Sequence, residues 1–359
     1  MNCKMIDIYR HVDNYAKYHH VKSVLEPGNK AYVANPYITI AIPTYKRPSL
    51  LKEAIDSALN QDNPSYEFEV IVIDNEVRQS VETETEKLIK TYSDSRLLYY
   101  RNEKNLGMFG NWNRCIELAR GKWVAFLHDD DLIASDYIAK ISKLIISKKE
   151  VGAIMVIFGI IGKTIPSDSP SFSRNVIKEF LNRHLKNKLL SITTTDIQLF
   201  SDNPYGAPTC GALFNRNLAI KEGGFNEAYF PSADWFFVFK FNKSYKVYKT
   251  FDILGYYRIL ENESLNVDTL RQFVVDGINF RQFSRNLNLL GATVYNLFRY
   301  EQHVCFLEWV MRLDKSHSIK PEDFNDKCEY KIRPLRLWLY KKVRLVYWRI
   351  KKLSVLIWG

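Results

Sequence analysis

Short apolar runs alternate with helix-like segments between residues 38 and 127. Each run is continuous and rich in apolar side chains, which is typical of a parallel strand buried on both faces. The four predicted strands are ITIAI (38–42), EVIVID (69–74), LLYYR (97–101) and KWVAFL (122–127). Apolar positions recur at helical spacing after Pro48, across 81–92 and around Trp112. The alternation predicts an α/β fold with a Rossmann-like, mostly parallel central sheet flanked by helices.

Polar segments follow three of these predicted strands. They are PTYKRP (43–48), DNE (74–76) and HDDD (128–131). In open sheets of this kind, ligands bind beyond the carboxyl ends of the strands. We therefore expect the three segments to converge on one crevice.

The last of these segments places three carboxylates, Asp129, Asp130 and Asp131, directly after an apolar strand. One interpretation is a solvated turn, in which Asp131 or Ser135 caps the helix that begins near Asp136. The other is a site for a divalent cation, whose charge offsets the repulsion between the carboxylates. A cation with so few protein ligands is completed by a diphosphate, whose departure it assists as a Lewis acid. This second interpretation points to nucleotide chemistry.

Three segments within residues 36–140 strongly resemble, in order and spacing, the nucleotide-sugar-binding half of family 2 glycosyltransferases. They are IAIPTYKRPSLLKEAIDSALNQ, VIVIDNE and RNEKNLGMFGNWNRCIELARGKWVAFLHDDDLI. The resemblance implies the GT-A fold and a nucleotide-sugar donor, which we expect to be a UDP-sugar. It also implies Mn²⁺ or Mg²⁺ as cofactor and transfer with inversion of configuration.

Carried over to single positions, the resemblance implies contacts with the donor nucleotide. Thr44 and Tyr45 are expected to lie against the base, with Arg47 beside them in the donor site. Asp74 is expected to contact the base, because a carboxylate is a strong acceptor for the imide N–H of uracil. Taken alone, Asp74 is as readily explained as a turn or cap residue. Asn113 is a further candidate for closing the donor site.

The same resemblance assigns the acidic segment and the turn that precedes the helix around Trp112. Asp130 matches the metal-binding position, Asp131 is the second expected metal ligand, and Asp129 and Asp131 are expected to contact the donor. His128 stands where many relatives carry the first Asp of a DxDD pattern. Two further expected donor contacts, in the family's Asn-x-Gly segment, are Asn105 and Gly107.

Transfer to a hydroxyl needs a group that takes the acceptor proton. The segment GGFNEAYFPSADWFFVFK (223–240) resembles the family's GFDE…ED segment, and there Asp234 aligns with the catalytic base. Ala233 replaces a Glu that relatives often carry, and the competing interpretation of Asp234 is a helix N-cap. Glu227 is a weaker candidate for acceptor contact.

The segment that follows the predicted catalytic base carries a Tyr-Arg pair. Tyr257-Arg258 resembles a pair in relatives, which implies that Arg258 contacts the diphosphate; the alternative is a structural role. Leu260 replaces the His that many relatives carry. In PYGAPTCGALFNR (204–216), expected to shape the acceptor side, Cys210 is interpreted as a buried thiol rather than a nucleophile.

The composition limits the partner classes. The formal net charge is +11, but nine Lys or Arg and no acid lie between Lys331 and Lys352, so the excess is concentrated near the C-terminus. A nucleic-acid-binding protein would carry its basic residues across a groove or sheet face, whereas the strand ends here are acidic. Five widely spaced cysteines without a CxxC favour a reducing cytosol over a disulfide framework. We therefore expect no nucleic-acid partner.

The C-terminal segment RPLRLWLYKKVRLVYWRIKKLSVLIWG predicts an amphipathic helix. Its apolar stripe consists of Leu335, Leu339, Val343, Val346, Ile350, Leu353 and Ile357. Other faces carry Lys341, Lys342, Arg344, Lys351 and Lys352, and three tryptophans suit a headgroup boundary: Trp338, Trp348 and Trp358. The pattern favours a helix lying in an anionic membrane surface, and the alternative is a terminal helix packed on the body.

Together these observations predict an N-terminal extension (1–35), a GT-A domain (36–260), a helical region (261–330) and a membrane-associating helix (331–359). Within the GT-A domain, 36–140 is the donor half and 141–260 the acceptor half. The expected function is glycosyl transfer to a glycan acceptor, plausibly lipid-linked, in bacterial surface polysaccharide synthesis, at the cytoplasmic face of the cell membrane. The rival hypothesis is a non-catalytic membrane scaffold with a degenerate GT-A fold.

Overall fold

The computed structural model describes residues 8–26, 33–78, 80–162, 183–200, 209–259, 265–325 and 333–358. Their strands form one ten-stranded sheet. In chain order they are β1 (Ser23–Leu25), β2 (Ile38–Thr44), β3 (Phe68–Asp74), β4 (Leu97–Asn102), β5 (Trp123–Phe126), β6 (Leu132–Ile133), β7 (Ala153–Gly162), β8 (Leu189–Ile192), β9 (Leu213–Asn215) and β10 (Val247–Ile259).

The four strands predicted from the apolar runs form the parallel core of the sheet, in the order β4-β3-β2-β5. Beyond β5 the sheet continues as β9-β7-β10-β6, and β8 also pairs with β10. β9 is antiparallel to both β5 and β7, whereas β7 and β10 are parallel. The predicted α/β architecture with a largely parallel central sheet is confirmed.

Both faces of the parallel core are covered, which explains the continuous apolar runs. Every residue of β2 and β3 is buried. Successive side chains of a strand point to opposite faces. Accordingly, Ala41 and Ile71 belong to one apolar cluster of the core, and Ile40 and Val70 belong to the other.

The helices pack on these two faces and continue beyond the sheet. In chain order they are α1 (Pro48–Leu59), α2 (Glu84–Ile89), α3 (Gly107–Leu118), α4 (Tyr137–Ile146), α5 (Thr194–Phe200), α6 (Arg216–Glu222), α7 (Ala233–Ser244), α8 (Val267–Arg285), α9 (Leu289–Leu313) and α10 (Pro334–Trp358). The helix predicted over 81–92 is shorter than expected. Its start is fixed by a capping box in which Thr83 and Glu86 satisfy each other's backbone N–H groups.

The N-terminal extension is part of this fold. β1 pairs antiparallel with β4, so it forms an edge of the sheet. The side chain of Tyr15 is buried, and its hydroxyl donates to the carbonyl of Ala219 in α6 at 3.2 Å. Asn14 Nδ2 donates to the carbonyl of Gly223 at 2.8 Å. Residues 8–26 therefore fasten the turn after α6, a role that their polar sequence did not suggest.

The C-terminal helix α10 packs on the body along one face. Tyr340 is fully buried, and its hydroxyl donates to the Leu199 carbonyl at 2.8 Å. Tyr347 donates to Asp196 at 3.1 Å, and Lys351 forms an ion pair with the same buried carboxylate. Lys351, which was predicted to lie on a face other than the apolar stripe, is on the face that packs on the body, where it compensates the buried Asp196 carboxylate.

The opposite face of α10 remains uncovered. Six of the seven residues of the predicted apolar stripe are exposed and Val343 is half-buried. Trp338 is exposed as predicted, whereas Trp348 packs against the apolar core and the side chain of Trp358 lies outside the described residues. Within the described ranges, none of the helices is long and apolar enough to cross a membrane. Position 260 and residues 204–208 also lie outside the described residues.

Candidate active site

The acidic loop, defined as residues 128–131, begins where β5 ends, at the carboxyl edge of the parallel core. Its carboxylates are largely withdrawn from solvent: Asp129, Asp130 and Asp131 retain 7%, 8% and 0% of their surface exposed. A solvated turn would leave such groups in water, where their mutual repulsion is screened. The burial therefore disfavours the turn interpretation of this loop.

Asp129 is held by the loop that follows β2. The hydroxyl of Thr44 donates to Asp129 Oδ2 at 2.7 Å, and the backbone amide of Tyr45 also donates to this carboxylate. Burial nevertheless raises the pKa of Asp129 to about 6. The Tyr45 ring itself is 46% exposed and is available to a ligand.

Asp131 is held from the opposite direction by β10. The backbone amide of Arg258 donates to Asp131 Oδ1 at 2.9 Å, and the buried thiol of Cys210 lies against the carboxylate. Burial and the neighbouring Asp130 raise the pKa of Asp131 to about 7. Burial also raises the pKa of Cys210, which agrees with its interpretation as an inert thiol.

Two guanidinium groups flank the loop. Arg47 Nη1 lies 3.0 Å from Asp130 Oδ2 and 3.7 Å from Asp129 Oδ1. Arg258 Nε donates to the backbone carbonyl of Asp130 at 2.9 Å, and its Nη2 donates to Glu53 of α1 at 2.6 Å. The structure thus brings Thr44, Arg47 and Arg258 together around the three aspartates.

The donor set of this loop fits a divalent cation. One ligand atom each from His128, Asp130 and Asp131 can be chosen so that all three lie within 4.8 Å of one another. Asp131 Oδ2 is buried and has no hydrogen-bond donor among the described residues. A buried carboxylate oxygen without a partner is costly, and a cation removes that cost.

Asp74, the last residue of β3, is fully buried rather than open to solvent. Its Oδ2 accepts from the hydroxyl of Tyr99 at 2.7 Å and its Oδ1 accepts from the amide of Glu76 at 2.8 Å. Burial raises the pKa of Asp74 to about 6, against the effect of these hydrogen bonds and of Arg101. Contact between Asp74 and a nucleotide base stays a prediction.

An asparagine network, which the sequence did not suggest, orders the ends of β3 and β4. Asn75 Oδ1 accepts from the amide of Leu106 at 2.8 Å and from Asn102 at 3.1 Å, and Asn102 donates to Asn111 at 2.8 Å. Asn111 in turn donates to the Ile73 carbonyl at 3.0 Å. The available signal is two polar residues at strand ends, Asn75 after β3 and Asn102 at the end of β4, and each also suits an ordinary turn.

The predicted Asn-x-Gly segment joins this network. Asn105 Oδ1 accepts from Asn75 and from the amide of Gly107, both at 2.8 Å. Gly107 begins α3 with φ +71, a conformation that favours glycine. The expected tight turn is present, and the two residues sit beside Asn75, which directly follows Asp74.

The predicted catalytic base, Asp234, lies in the first turn of α7. Its Oδ1 accepts from the amide of Trp235 at 2.7 Å, and burial raises its pKa to about 6. The N-cap is Ser232 instead, and its hydroxyl donates to Asp276 of α8 at 2.6 Å rather than capping α7. Asp276, which the sequence did not single out, thereby supports the turn that presents Asp234.

Aromatic packing connects the segment before Asp234 with the acidic loop. The ring of Trp112 lies 4.9 Å from the His128 ring and 5.3 Å from the Phe225 ring, measured between centroids. Within the described ranges, no hydrogen bond or ion pair joins Asp234 directly to residues 128–131. The catalytic role of Asp234 therefore stays a prediction.

Two secondary candidates have structural partners. Glu227 accepts from the hydroxyl of Tyr18 at 2.9 Å and pairs with Lys17, so it binds the N-terminal segment. Asn113 is buried; its Nδ2 donates to the Phe225 carbonyl at 2.8 Å and its Oδ1 accepts from the Phe225 amide at 2.7 Å. Asn113 thus clamps the backbone before Asp234.

Replacement of Asn113 by Ala is expected to lower the free energy of unfolding by about 2–4 kcal/mol, because it leaves the two buried backbone groups of Phe225 unpaired. Urea unfolding monitored by tryptophan fluorescence measures the change. Asn325→Ala, in an exposed 3₁₀ turn, is the control and should change stability by under about 0.5 kcal/mol. Equal stabilities of the Asn113 variant and the wild type would contradict the clamp.

Comparison with known proteins identifies a family for part of the chain. Residues 39–207 match the sequence model described as glycosyl transferase family 2. This part of the chain is a family 2 glycosyltransferase domain. A relative from Campylobacter jejuni, GalNAc(5)-diNAcBac-PP-undecaprenol beta-1,3-glucosyltransferase, is 28% identical over 239 residues, which are 65% of this chain and 68% of the relative. The alignments with the first two curated relatives cover 62% and 64% of their lengths, somewhat under two thirds.

Two solved structures share the fold. Staphylococcus aureus TarS 1-349 in complex with UDP-GlcNAc superposes with a TM-score of 0.53 at 16% identity, covering 88% of this chain and 90% of that one. The mannosyltransferase PcManGT from Pyrobaculum calidifontis, in complex with GDP-Man and Mn²⁺, gives a TM-score of 0.50 at 16% identity, covering 94% and 92%. At these identities, the likeness shows the GT-A fold alone.

Proposed function

We propose that this glycosyltransferase moves a sugar from a UDP-sugar to a hydroxyl group of a glycan acceptor with inversion of configuration. The observation that carries the proposal is the acidic loop, whose buried carboxylates are fixed by β2 and β10 while Asp131 Oδ2 has no donor. The names of two structural neighbours, which include UDP-GlcNAc and GDP-Man with Mn²⁺, support a nucleotide-sugar donor.

The residues of the candidate site have separate roles in the proposed reaction. Asp130 and Asp131 hold Mn²⁺ or Mg²⁺, which when bound neutralises charge on the donor diphosphate. Arg47 and Arg258 supply positive charge to the same leaving group, and Asp74 with Tyr45 positions the base. Asp234 accepts the proton of the acceptor hydroxyl. At the same time the hydroxyl oxygen bonds to the anomeric carbon of the donor sugar, and the bond from that carbon to the diphosphate oxygen breaks.

Thermal unfolding of the purified chain tests the proposal. We expect UDP-sugars with Mn²⁺ to raise the unfolding temperature, since a ligand that binds only the folded state stabilises it. Separate scans with UDP alone, Mn²⁺ alone and GDP-mannose with Mn²⁺ identify the base and the cation dependence. Unchanged unfolding temperatures with every nucleotide tested, at millimolar concentrations and with the cation present, would overturn the proposal.

The pH dependence of transfer is expected to report Asp234. Burial raises its pKa to about 6, so the carboxylate is ionised and able to accept a proton at pH 7.5 and is mostly protonated at pH 5. At saturating UDP-sugar and Mn²⁺, kcat/KM for the acceptor should therefore rise with pH and level off above an apparent pKa near 6. A flat profile between pH 5 and pH 8 would contradict the assignment of Asp234 as base.

We further propose that the acceptor is lipid-linked and that α10 holds the protein on an anionic membrane surface. The name of the Campylobacter relative describes an undecaprenol-linked acceptor. The uncovered face of α10 presents apolar residues, of which Ile350 is 61% exposed, and the same helix carries the exposed lysines Lys341 and Lys342. An amphipathic basic helix of this kind lies in the headgroup region of a bilayer.

Sedimentation with vesicles tests this surface. Replacing Lys341 and Lys342 by Gln is expected to weaken binding to phosphatidylglycerol-containing vesicles by about 30-fold, since each surface Lys contributes about 1 kcal/mol. The same change at Lys148 and Lys149, which lie after α4, removes equal charge and should leave binding within about threefold. Equal losses in both variants would show that net charge, rather than α10, attracts the protein to the membrane.

A further inference from the structure

His128 replaces an acid at the start of the acidic loop and occupies a defined position there. Its ring packs against Trp112, with centroids 4.9 Å apart and planes inclined by 32°. Nδ1 lies 3.8 Å from Asp131 Oδ2, and Nε2 is buried with no hydrogen-bond partner among the described residues. The imidazole is therefore placed by packing and lacks the polar partner that a buried ring nitrogen ordinarily has.

The separation between His128 and Asp131 is too long for a hydrogen bond. It is close to the distance between two atoms that bind the same cation: ligand atoms about 2.1 Å from a metal are roughly 3.0–3.7 Å apart across the usual coordination angles. Asp131 Oδ2 is buried without a donor, so it too requires a partner. A cation bound between His128 Nδ1 and Asp131 Oδ2 would give that oxygen its partner, and Asp130 belongs to the same group of potential ligands.

We propose that His128 is a nitrogen ligand of the divalent cation, alongside Asp130 and Asp131, and that it makes the site selective for Mn²⁺ over Mg²⁺. The inference rests on the proposed function, which requires a cation but does not require His128. Oxygen ligands suit Mg²⁺, whereas an imidazole favours first-row transition metals.

The direct test is pulsed electron paramagnetic resonance of the full-length chain with bound Mn²⁺ and UDP. A histidine ligand produces nitrogen modulation in the electron spin echo, and incorporation of ¹⁵N-histidine changes the modulation only if that nitrogen belongs to a histidine. We expect the modulation in the wild type and its loss in His128→Gln. Because the wild-type spectrum decides the assignment, the test does not depend on the folding of a variant.

Titration with Mn²⁺ and with Mg²⁺ measures the affinity for each ion and so the selectivity of the site. With UDP present, His128→Gln is expected to weaken Mn²⁺ binding by about 10-fold or more and Mg²⁺ binding by under about threefold. His128→Asp, which restores the residue common in relatives, should reduce the preference for Mn²⁺ while retaining both metals. His184→Gln, which alters an exposed histidine outside the site, is the control and should leave both affinities unchanged.

The outcomes separate this inference from the proposed function. Mn²⁺ bound with UDP but without nitrogen modulation from histidine would overturn the role of His128 and leave the glycosyltransferase proposal standing. Equal losses of Mn²⁺ and Mg²⁺ affinity in His128→Gln would overturn the selectivity. Absence of Mn²⁺ binding in the presence of UDP, and of any effect of UDP on unfolding, would overturn both.

Discussion

Replacement of Asp234 by Asn is expected to lower kcat about 10²–10⁴-fold while leaving the protein folded, since general base catalysis contributes rate factors of this size. The Asn side-chain oxygen can still accept from the Trp235 amide, as the Asp234 carboxylate does at 2.7 Å, but it cannot take the acceptor proton. Single-turnover transfer to a saturating acceptor measures the change. Binding of UDP with Mn²⁺, followed by thermal unfolding, should be unaffected because Asp234 is assigned no donor contact.

A matched variant distinguishes the base from a helix-terminal charge. Asp268 also lies in the first turn of a helix, α8, but its side chain is 94% exposed. Asp268→Asn removes a comparable charge near the positive end of a helix dipole and should leave kcat within about twofold. If Asp234→Asn retains wild-type kcat, Asp234 is a helix-terminal residue and the base must be sought elsewhere.

Replacement of Asp130 by Asn is expected to reduce transfer by about 10³-fold or more, which corresponds to several kcal/mol of lost stabilisation of the departing diphosphate. The neutral amide is a poorer ligand for a hard cation, and Arg47 loses its 3.0 Å ion pair with Asp130. The increase in unfolding temperature produced by UDP with Mn²⁺ should disappear. The unfolding temperature of the protein without ligand should change little, because removing one of three adjacent buried charges also relieves repulsion.

The control for this variant is Asp136→Asn, which precedes α4 and whose carboxylate forms an exposed ion pair with Lys140 at 2.7 Å. Such a pair contributes little. We expect wild-type transfer and wild-type response to UDP with Mn²⁺. Retention of Mn²⁺-dependent transfer by Asp130→Asn would move the metal site away from the acidic loop.

The parallel core of the sheet was predictable because each of its strands is marked by a run of apolar residues that are adjacent in the sequence. A strand buried on both faces is mostly apolar rather than alternating, so four apolar runs identified β2, β3, β4 and β5 within one or two residues. The remaining strands were not predicted as a set. β6 has two residues and β9 has three, and their places in the sheet depend on pairing with strands distant in sequence, such as β10 and β7.

The candidate site was partly predictable for the same reason. Three adjacent aspartates after a strand are conspicuous, and Thr44 and Arg47 follow the neighbouring strand. Arg258, 127 residues beyond Asp131, could be assigned only by resemblance to a family, although the structure places its amide on that carboxylate.

Other polar residues of the site were not distinguishable from surface residues in the sequence. In the sequence alone, Asn75, Asn102 and Asp276 look like ordinary turn or helix-surface residues. In the structure all three are buried and hydrogen-bonded. Asn113 was noticed but given a donor-site role, whereas its partners are the backbone groups of Phe225. Partners that lie between 27 and 112 residues away leave no periodic signal in the chain.

The attachment of the acidic loop to β10 limits how this enzyme can be recombined with its relatives. Arg258 contributes its amide to Asp131, its Nε to the Asp130 carbonyl and its Nη2 to Glu53, and thereby joins three segments that are far apart in sequence. A chimaera that keeps residues 36–140 and takes the rest from another protein contains the acidic loop but lacks the contacts that Arg258 makes with it. Donor preference is therefore better transplanted as paired exchanges that carry the β10 terminus together with the loop than as a single contiguous module.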